Sequence, residues 1–392
     1  MPWKVESVMD HRVEFVLRAQ KQEATISQLC REYGVSRPTG YLWLHRYKEA
    51  GSLTALSEHS RRPLNSPRRT SAELEEQVLR LRDEKGWGAR KLQTLLARSG
   101  VELPVRTIHR ILHRAGRVWP QDERRAATRR FARAECNELW QMDFKGEYRV
   151  REGKCYPLTL LDDCSRYLVG LWPLEGTGAR RVHEVLQVHF RAGGVPQAML
   201  MDHGAPWYSM TNEHGLTWLS VWLIKQRVKL YYSGIRHPQT QGKVERLHRS
   251  LNERTFHRGL PRTLSEWGLW ASEFRCEYNE ERPHEALAMK TPSEVYTGEN
   301  LRPYQEQVEE WEYTGGHVRR LNTQGMLNWR GSRYFVCEAL AGERVRVDEL
   351  DEKLVVTYRH QTIREIELGT GRSRAVRLRP ARSKTASEAA QV

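Results

Sequence analysis

HPQTQGKVERLHRSL, residues 237–251, opens as a loop and continues as a helix. A single acid, Glu245, stands there among Lys243, Arg246, His248 and Arg249. An ordinary solvated helix face has such a charge mix. A metal ligand flanked by phosphate-gripping cations has it too, and the rest of the chain decides between the two. Gly242, just before the basic run, lets backbone approach a ligand closely.

Lys plus Arg total 64 against 49 Asp plus Glu, a formal net charge of +15. That balance over 392 residues favours a polyanionic partner, nucleic acid first among them. The mean hydropathy of −0.72 and the lack of a membrane-length apolar run argue against a membrane protein. No signal-peptide core is expected at the N-terminus. The six cysteines form no CxxC pair, so neither a disulfide framework nor a zinc knuckle is expected. A reducing cytoplasm fits.

The first third predicts two helical DNA-binding units. In residues 1–55, apolar residues at helical spacing (Val13, Val16, Leu17; Ile26, Leu29, Cys30, Tyr33; Trp43, Leu44, Tyr47) are interrupted at Gly34, the plan of a helix-turn-helix. Its last helix offers Arg37, Thr39, His45 and Arg46 to a DNA groove. A Ser/Pro/Arg-rich linker spans 56–69, and a second unit of the same plan spans 70–118. There Leu92, Leu95, Leu96, Ile108, Ile111 and Leu112 read as core, and Arg106, Thr107, Arg110 and Arg114 face outward. A basic linker follows over 119–135. Such cations give affinity through phosphate, while a few side chains at base edges give preference.

Residues 136–300 predict an α/β domain. NELWQMDFKGEY alternates with period two, as a strand does, and YPLTLLDD and RYLVGLWPL are further strands. A helix over 177–192 and the short strand QAMLM follow, the latter ending at Asp202-His203-Gly204. The element order is that of an RNase H-like domain. Asp143, Asp202 and Glu245 then supply three hard oxygen ligands, the set that two Mg²⁺ ions need for phosphoryl transfer, with Mn²⁺ able to substitute. Lys243, Arg246 and Arg249 would hold phosphate beside them, and His237 would touch it or start a turn. Asp162 and Asp163 read as hairpin-turn residues.

WQMDFKG, LLDDCSRYLVG, LMDHGAPW, HPQTQGKVERLHRSL and YNEERPHEALAMKTPSEVY occur in that order. Together they resemble the catalytic core of insertion-sequence transposases related to retroviral integrases, over roughly residues 130–300. The tandem helix-turn-helix units match the same group, and QGKVER and RPHEAL are the most specific stretches. The resemblance implies an RNase H-like core with Asp143, Asp202 and Glu245 as its DDE triad. It implies an enzyme that binds the terminal repeats of its own element as a homo-multimer on double-stranded DNA. It would cleave at the 3′ ends and join them to target DNA, with no small-molecule cofactor. A bacterial, nucleoid-associated location follows. A DNA-binding regulator with a dead core would lack one acid, and all three are present; a general nuclease would not need two recognition units.

Two departures stand out. His203 follows the second acid where many members have Asn, as an auxiliary hydrogen-bonding group. Between Asp202 and Glu245 lie 42 residues, more than the integrase pattern has. At the C-terminal end, short alternating runs over 315–370 predict a small β-barrel, and 371–392 a basic disordered tail.

Overall fold

Polar caps start the N-terminal helices. The computed structural model describes residues 7–58, 69–118, 132–209, 215–233, 242–376 and 378. Ser7 and Asp10 form a reciprocal capping box on helix α1 (Val8–Gln20), and Thr25 and Gln28 do the same for α2 (Ile26–Glu32). The chain turns at Gly34 into α3 (Arg37–Ala50), capped by Ser36. These helices close over Phe15, Val16, Leu29, Cys30, Leu44 and Leu56. The expected inward Leu17 is instead 40% exposed, and Phe15 takes the inner place. Gly40 explains the shift. A Cβ there would lie 2.9 Å from Phe15 Cζ and 2.6 Å from Cys30 Sγ, so the missing side chain is room for the ring.

The chain divides into two compact units, one ending at Ser71 and one starting at Ala72. The second begins with α4 (Ala72–Lys85), α5 (Ala89–Arg98) and α6 (Val105–Arg114), which bury Val78, Trp87, Leu92, Leu96, Ile108, Ile111 and Leu112. Ile108, Ile111 and Leu112 form the apolar stripe of an amphipathic helix. The polar side of α6 stays outside.

A mixed sheet follows. Its strands are β1 (Trp140–Phe144), β2 (Tyr148–Val150), β3 (Gly153–Asp162), β4 (Leu168–Leu174), β5 (Ala198–Met201) and β8 (Lys229–Tyr232). Between β4 and β5 lies α7 (Ala179–Gly193); between β5 and β8 lie the small pair β6 (Tyr208–Ser209) and β7 (Gly215–Leu216), then α8 (Trp218–Lys225). Helices α9 (Gly242–Arg258) and α10 (Leu264–Cys276) complete the domain. The order is β2-β3-β1-β5-β8, with β4 also on β3; β3 is antiparallel to β1, and β1, β5 and β8 are parallel. Alternation along β3 feeds two apolar layers. Leu158 and Leu160 meet the layer of α7 and α8; Leu161 meets that of α9 and α10.

Among the described residues the expected barrel is not closed. Strands β9 (His317–Arg320), β12 (Arg344–Leu350), β13 (Lys353–Tyr358), β14 (Gln361–Glu367) and β15 (Ser373–Ala375) make an open antiparallel sheet in the order β15-β14-β13-β12-β9. Strands β10 (Met326–Trp329) and β11 (Ser332–Phe335) pair separately. Closure needs the two edge strands to pair, and β15 and β9 do not. Instead, Leu327, Trp329, Val345, Val347, Val356 and Tyr358 share one core with Met199 and Leu230 of the mixed sheet. The Gln361 side chain accepts from Leu230 N–H at 2.9 Å and donates to Leu230 C=O at 3.0 Å. It satisfies the backbone of edge strand β8. Among the described residues no helix is long and apolar enough to cross a membrane.

Gln361→Ala leaves both buried peptide groups of Leu230 unpaired. It is expected to lower unfolding free energy by about 2 kcal/mol or more, measured by urea titration. A loss below about 0.5 kcal/mol would mean that this contact does not hold the edge.

Candidate active site

Strand register brings the first two acids together. Gln141 of β1 faces Leu200 of β5, and two residues further along both parallel strands stand Asp143 and Asp202. Glu245 lies in the first turn of α9. Burial raises the Asp143 carboxyl to about pH 7 from the usual 3.8, and the negative charges of Asp202 and Glu245 push in the same direction. Among the described residues, no group of three or more His, Cys, Asp and Glu side chains is arranged so that it could hold a metal ion. The acids are near enough to repel one another but are not closed around one point. Three hard oxygen donors whose mutual repulsion a cation would relieve are the right chemistry for a divalent ion.

The two strand acids each have their own support. Thr159, opposite Asp143 across the β1–β3 ladder, donates its hydroxyl to Asp143 C=O at 2.8 Å. Asp202 Oδ1 accepts from Trp207 Nε1 at 2.6 Å and from Gly204 N–H at 2.9 Å. Trp207 is buried and stacks on Phe144 with centroids 5.5 Å apart. Trp207 therefore packs within the domain, and its indole N–H also holds Asp202. His248, one turn beyond Glu245, makes a 2.9 Å bond to the Thr159 hydroxyl, and its Nδ1 stands 4.0 Å from Asp143 Oδ2. Burial, with Lys145 nearby, holds this imidazole neutral, its pKa lowered to about 3. A charged-looking helix gave no hint that His248 turns inward, except that i and i+3 share a face.

Lys243 corrects one expectation. It does not face solvent to grip phosphate; its ammonium lies 2.5 Å from Asp163 Oδ1 and 3.0 Å from Asp163 C=O. Asp163 is fully buried and also accepts from Gln141 Nε2 at 2.6 Å and Arg133 N–H at 2.7 Å. Burial lowers the Lys243 pKa to about 8. The local turn bonds belong to Asp162, which accepts from Ser165 N–H and Oγ–H and from Asn137 N–H. Arg246 and Arg249 are exposed. His203 packs against the rings of Tyr208 and Tyr232. His237, the loop up to residue 241 and the basic stretch 119–131 lie outside the described residues.

On α3, Arg37 and His45 are exposed; Thr39 bonds Ser36 as part of the cap, and Arg46 lies over Trp43, 4.7 Å from the ring centroid. His45 stands 3.2 Å from Glu49. Exposed Tyr41 and Leu42 share that helix and were not expected. On α6, Arg106 and Arg110 are exposed, Thr107 is half-buried, and Arg114 pairs with Glu75 at 2.6 Å. Within the same compact unit, α4 and α5 are tied to the RPHEAL region by Lys85–Glu281 at 2.7 Å, Arg98–Glu294 at 2.9 Å and Arg282 over Trp87.

Comparison with known proteins agrees with this architecture. Two family models described as an integrase core domain match residues 133–238 and 226–292. Models of a homeodomain-like domain and a helix-turn-helix domain match residues 39–112 and 11–63. The uncharacterized 31.7 kDa protein of insertion element IS407 from Burkholderia multivorans is 24% identical over 218 residues, 54% of this chain and 76% of that protein. Two solved structures are similar at TM-scores of 0.37 and 0.32. They are an intasome of simian T-cell lymphotropic virus with PP2A regulatory subunit B56 gamma, and the HTLV-2 integrase catalytic core domain with magnesium. Identities are 14% and 15%; the matches cover 78% and 42% of this chain and 100% and 99% of those chains. Helix-turn-helix domains ahead of an integrase core define a polynucleotidyl transferase that acts on DNA. The chain is thus similar, over its helix-turn-helix domains and its integrase core, to insertion-sequence transposases, and the likeness supports a part in DNA transposition.

Two outcomes follow. Lys243→Met leaves the Asp163 carboxylate buried without its cation, and stability is expected to fall by about 3–5 kcal/mol in denaturant unfolding. Duplex-DNA affinity should change less than about twofold and its salt dependence not at all, because this cation releases no counterion from DNA. For Asp143, the folded-state pKa of about 7 lies above the ordinary 3.8. The metal-free fold therefore holds this proton more tightly than the unfolded chain. That contribution is present below about pH 4 and lost as the pH rises through about 7. Asp143→Asn should accordingly be more stable than the parent at pH 8 by roughly 2–4 kcal/mol in chelator, and the two should converge near pH 4.

Proposed function

We propose that this chain is the transposase of its own element. It binds the terminal inverted repeats through both helix-turn-helix units, hydrolyses the phosphodiester at each 3′ end and joins the freed ends to target DNA. The observation that carries this reading is the parallel register of β1 and β5, which sets Asp143 beside Asp202, with Glu245 near enough for its charge to help raise the Asp143 carboxyl. Isolated surface acids do not repel one another in this way.

Asp143, Asp202 and Glu245 are the residues that would hold two divalent ions, Mg²⁺ or Mn²⁺. When bound, such ions supply charge that activates the attacking oxygen and stabilises the leaving one. The chain's own contribution is positioning. Trp207 and Gly204 fix the Asp202 carboxylate, Thr159 fixes the Asp143 backbone, and exposed Arg246 and Arg249 hold backbone phosphates beside the acids. In the first step water adds to phosphorus and the 3′ oxygen leaves as a hydroxyl. In the second, that hydroxyl attacks a target phosphate, loses its proton, and the target's own 3′ oxygen departs. No covalent protein intermediate is needed, so catalysis is orientation and charge neutralisation. Arg37 and His45 on α3 and Arg106 and Arg110 on α6 are the exposed groups that would contact DNA. Two ends must be held at once, so the working form is a homo-multimer on DNA, acting where bacterial chromosomal DNA lies.

The test is strand transfer with linear DNA carrying the native ends and a plasmid target, in Mg²⁺ and in Mn²⁺. Asp143→Asn, Asp202→Asn and Glu245→Gln are each expected to bind the ends normally and to lose joined product by on the order of 10³-fold or more. End binding without cleavage or joining by the parent protein would make it a regulator. Cleavage that ignores the ends would make it a nuclease.

A further inference from the structure

The neighbourhood of Asp143 holds a nitrogen donor that the three-acid site does not use. Thr159 has one hydroxyl hydrogen, and it is spent on Asp143 C=O at 2.8 Å. The 2.9 Å contact between the same oxygen and His248 Nε2 therefore needs the proton on Nε2. That fixes the tautomer and leaves Nδ1 with a bare lone pair. Nδ1 lies 4.0 Å from Asp143 Oδ2. This is too far for a hydrogen bond. Two ligands of one cation, each at about 2.1 Å, stand up to about 4.2 Å apart, so a cation fits between them. The bond from the second ring nitrogen to a fixed oxygen is the usual way a protein orients a ligating imidazole.

We propose that His248 Nδ1 is a ligand of the cation held by Asp143, held in its ligating tautomer by Thr159. The proposal rests on the divalent-metal reading of the site. One nitrogen among oxygens biases that position from Mg²⁺, which prefers all-oxygen shells, towards Mn²⁺ and other transition ions. His248 thereby becomes a residue that selects the metal, and Thr159 a positioning residue acting through it.

The test uses the full chain with one equivalent of Mn²⁺ and electron spin-echo spectroscopy. Modulation from directly bound ¹⁴N is expected, changing to the ¹⁵N pattern when only histidine is ¹⁵N-labelled; this requires no substitution. His248→Asn should abolish the modulation and weaken Mn²⁺ binding by about tenfold or more, with Mg²⁺ affinity, read by competition, changing less than about threefold. Thr159→Val, which keeps the ring but frees its tautomer, should weaken Mn²⁺ binding in the same direction, and thermal melts confirm that each variant is folded. Mn²⁺ binding that is lost in Asp143→Asn yet shows no histidine nitrogen in the parent overturns the assignment of His248 and leaves the acids as ligands. A parent protein that binds no Mn²⁺, or binds it unchanged in Asp143→Asn, overturns the metal reading of the site and this inference together.

Discussion

The carboxylate of Asp163, shut away from water, is the fastening on which the geometry of the proposed site depends. Its Oδ1 receives both Gln141 Nε2 and Lys243 Nζ. Gln141 is two residues before Asp143 on β1, and Lys243 is two residues before Glu245 on α9. One buried charge therefore joins the strand that carries the first acid to the helix that carries the third. An unpaired carboxylate at that depth would cost several kcal/mol, so the three groups stay together or the fold opens. Asp202 needs no such bolt, because parallel pairing with β1 already places it.

The placement of the three acids on two strand ends and a helix start was legible because each has a local context. Asp143 ends an alternating strand, Asp202 ends an apolar run, and Glu245 opens a helix after a glycine. Strand order and the two helical units were legible for the same reason, being matters of period and punctuation. Lys243 was not. A lysine in a basic helix has the local pattern of a solvated cation, and its partner lies 80 positions away in sequence. Trp207 likewise shows only that it is large and apolar; its indole N–H finds Asp202 through a turn that no spacing rule announces. Phe15 and Leu17 were exchanged because two adjacent faces of α1 are both apolar, and only the gap over Gly40 on another helix chooses between them.

The C-terminal strands failed differently. Their alternation and turns were read correctly, and the error was in how the sheet ends. Whether a first and last strand meet depends on what else covers the apolar face. Here the mixed sheet covers it, through Leu230, Met199 and their neighbours, so the C-terminal sheet stays open and its core is shared.

The Gln361 amide lies on the backbone of β8 like one residue of an additional strand. Unpaired sheet edges recruit other chains, and proteins spend structure on blunting them. In this molecule the blunting is done from more than a hundred residues downstream, by the same sheet that completes the core. The integrase core is thus not a portable module. A fragment cut before residue 315 would carry a bare strand edge beside a newly wetted apolar face, the combination that drives edge-to-edge aggregation. Fusions and domain exchanges that respect only the catalytic motifs would inherit that defect, whereas those that keep the chain through β15 would not.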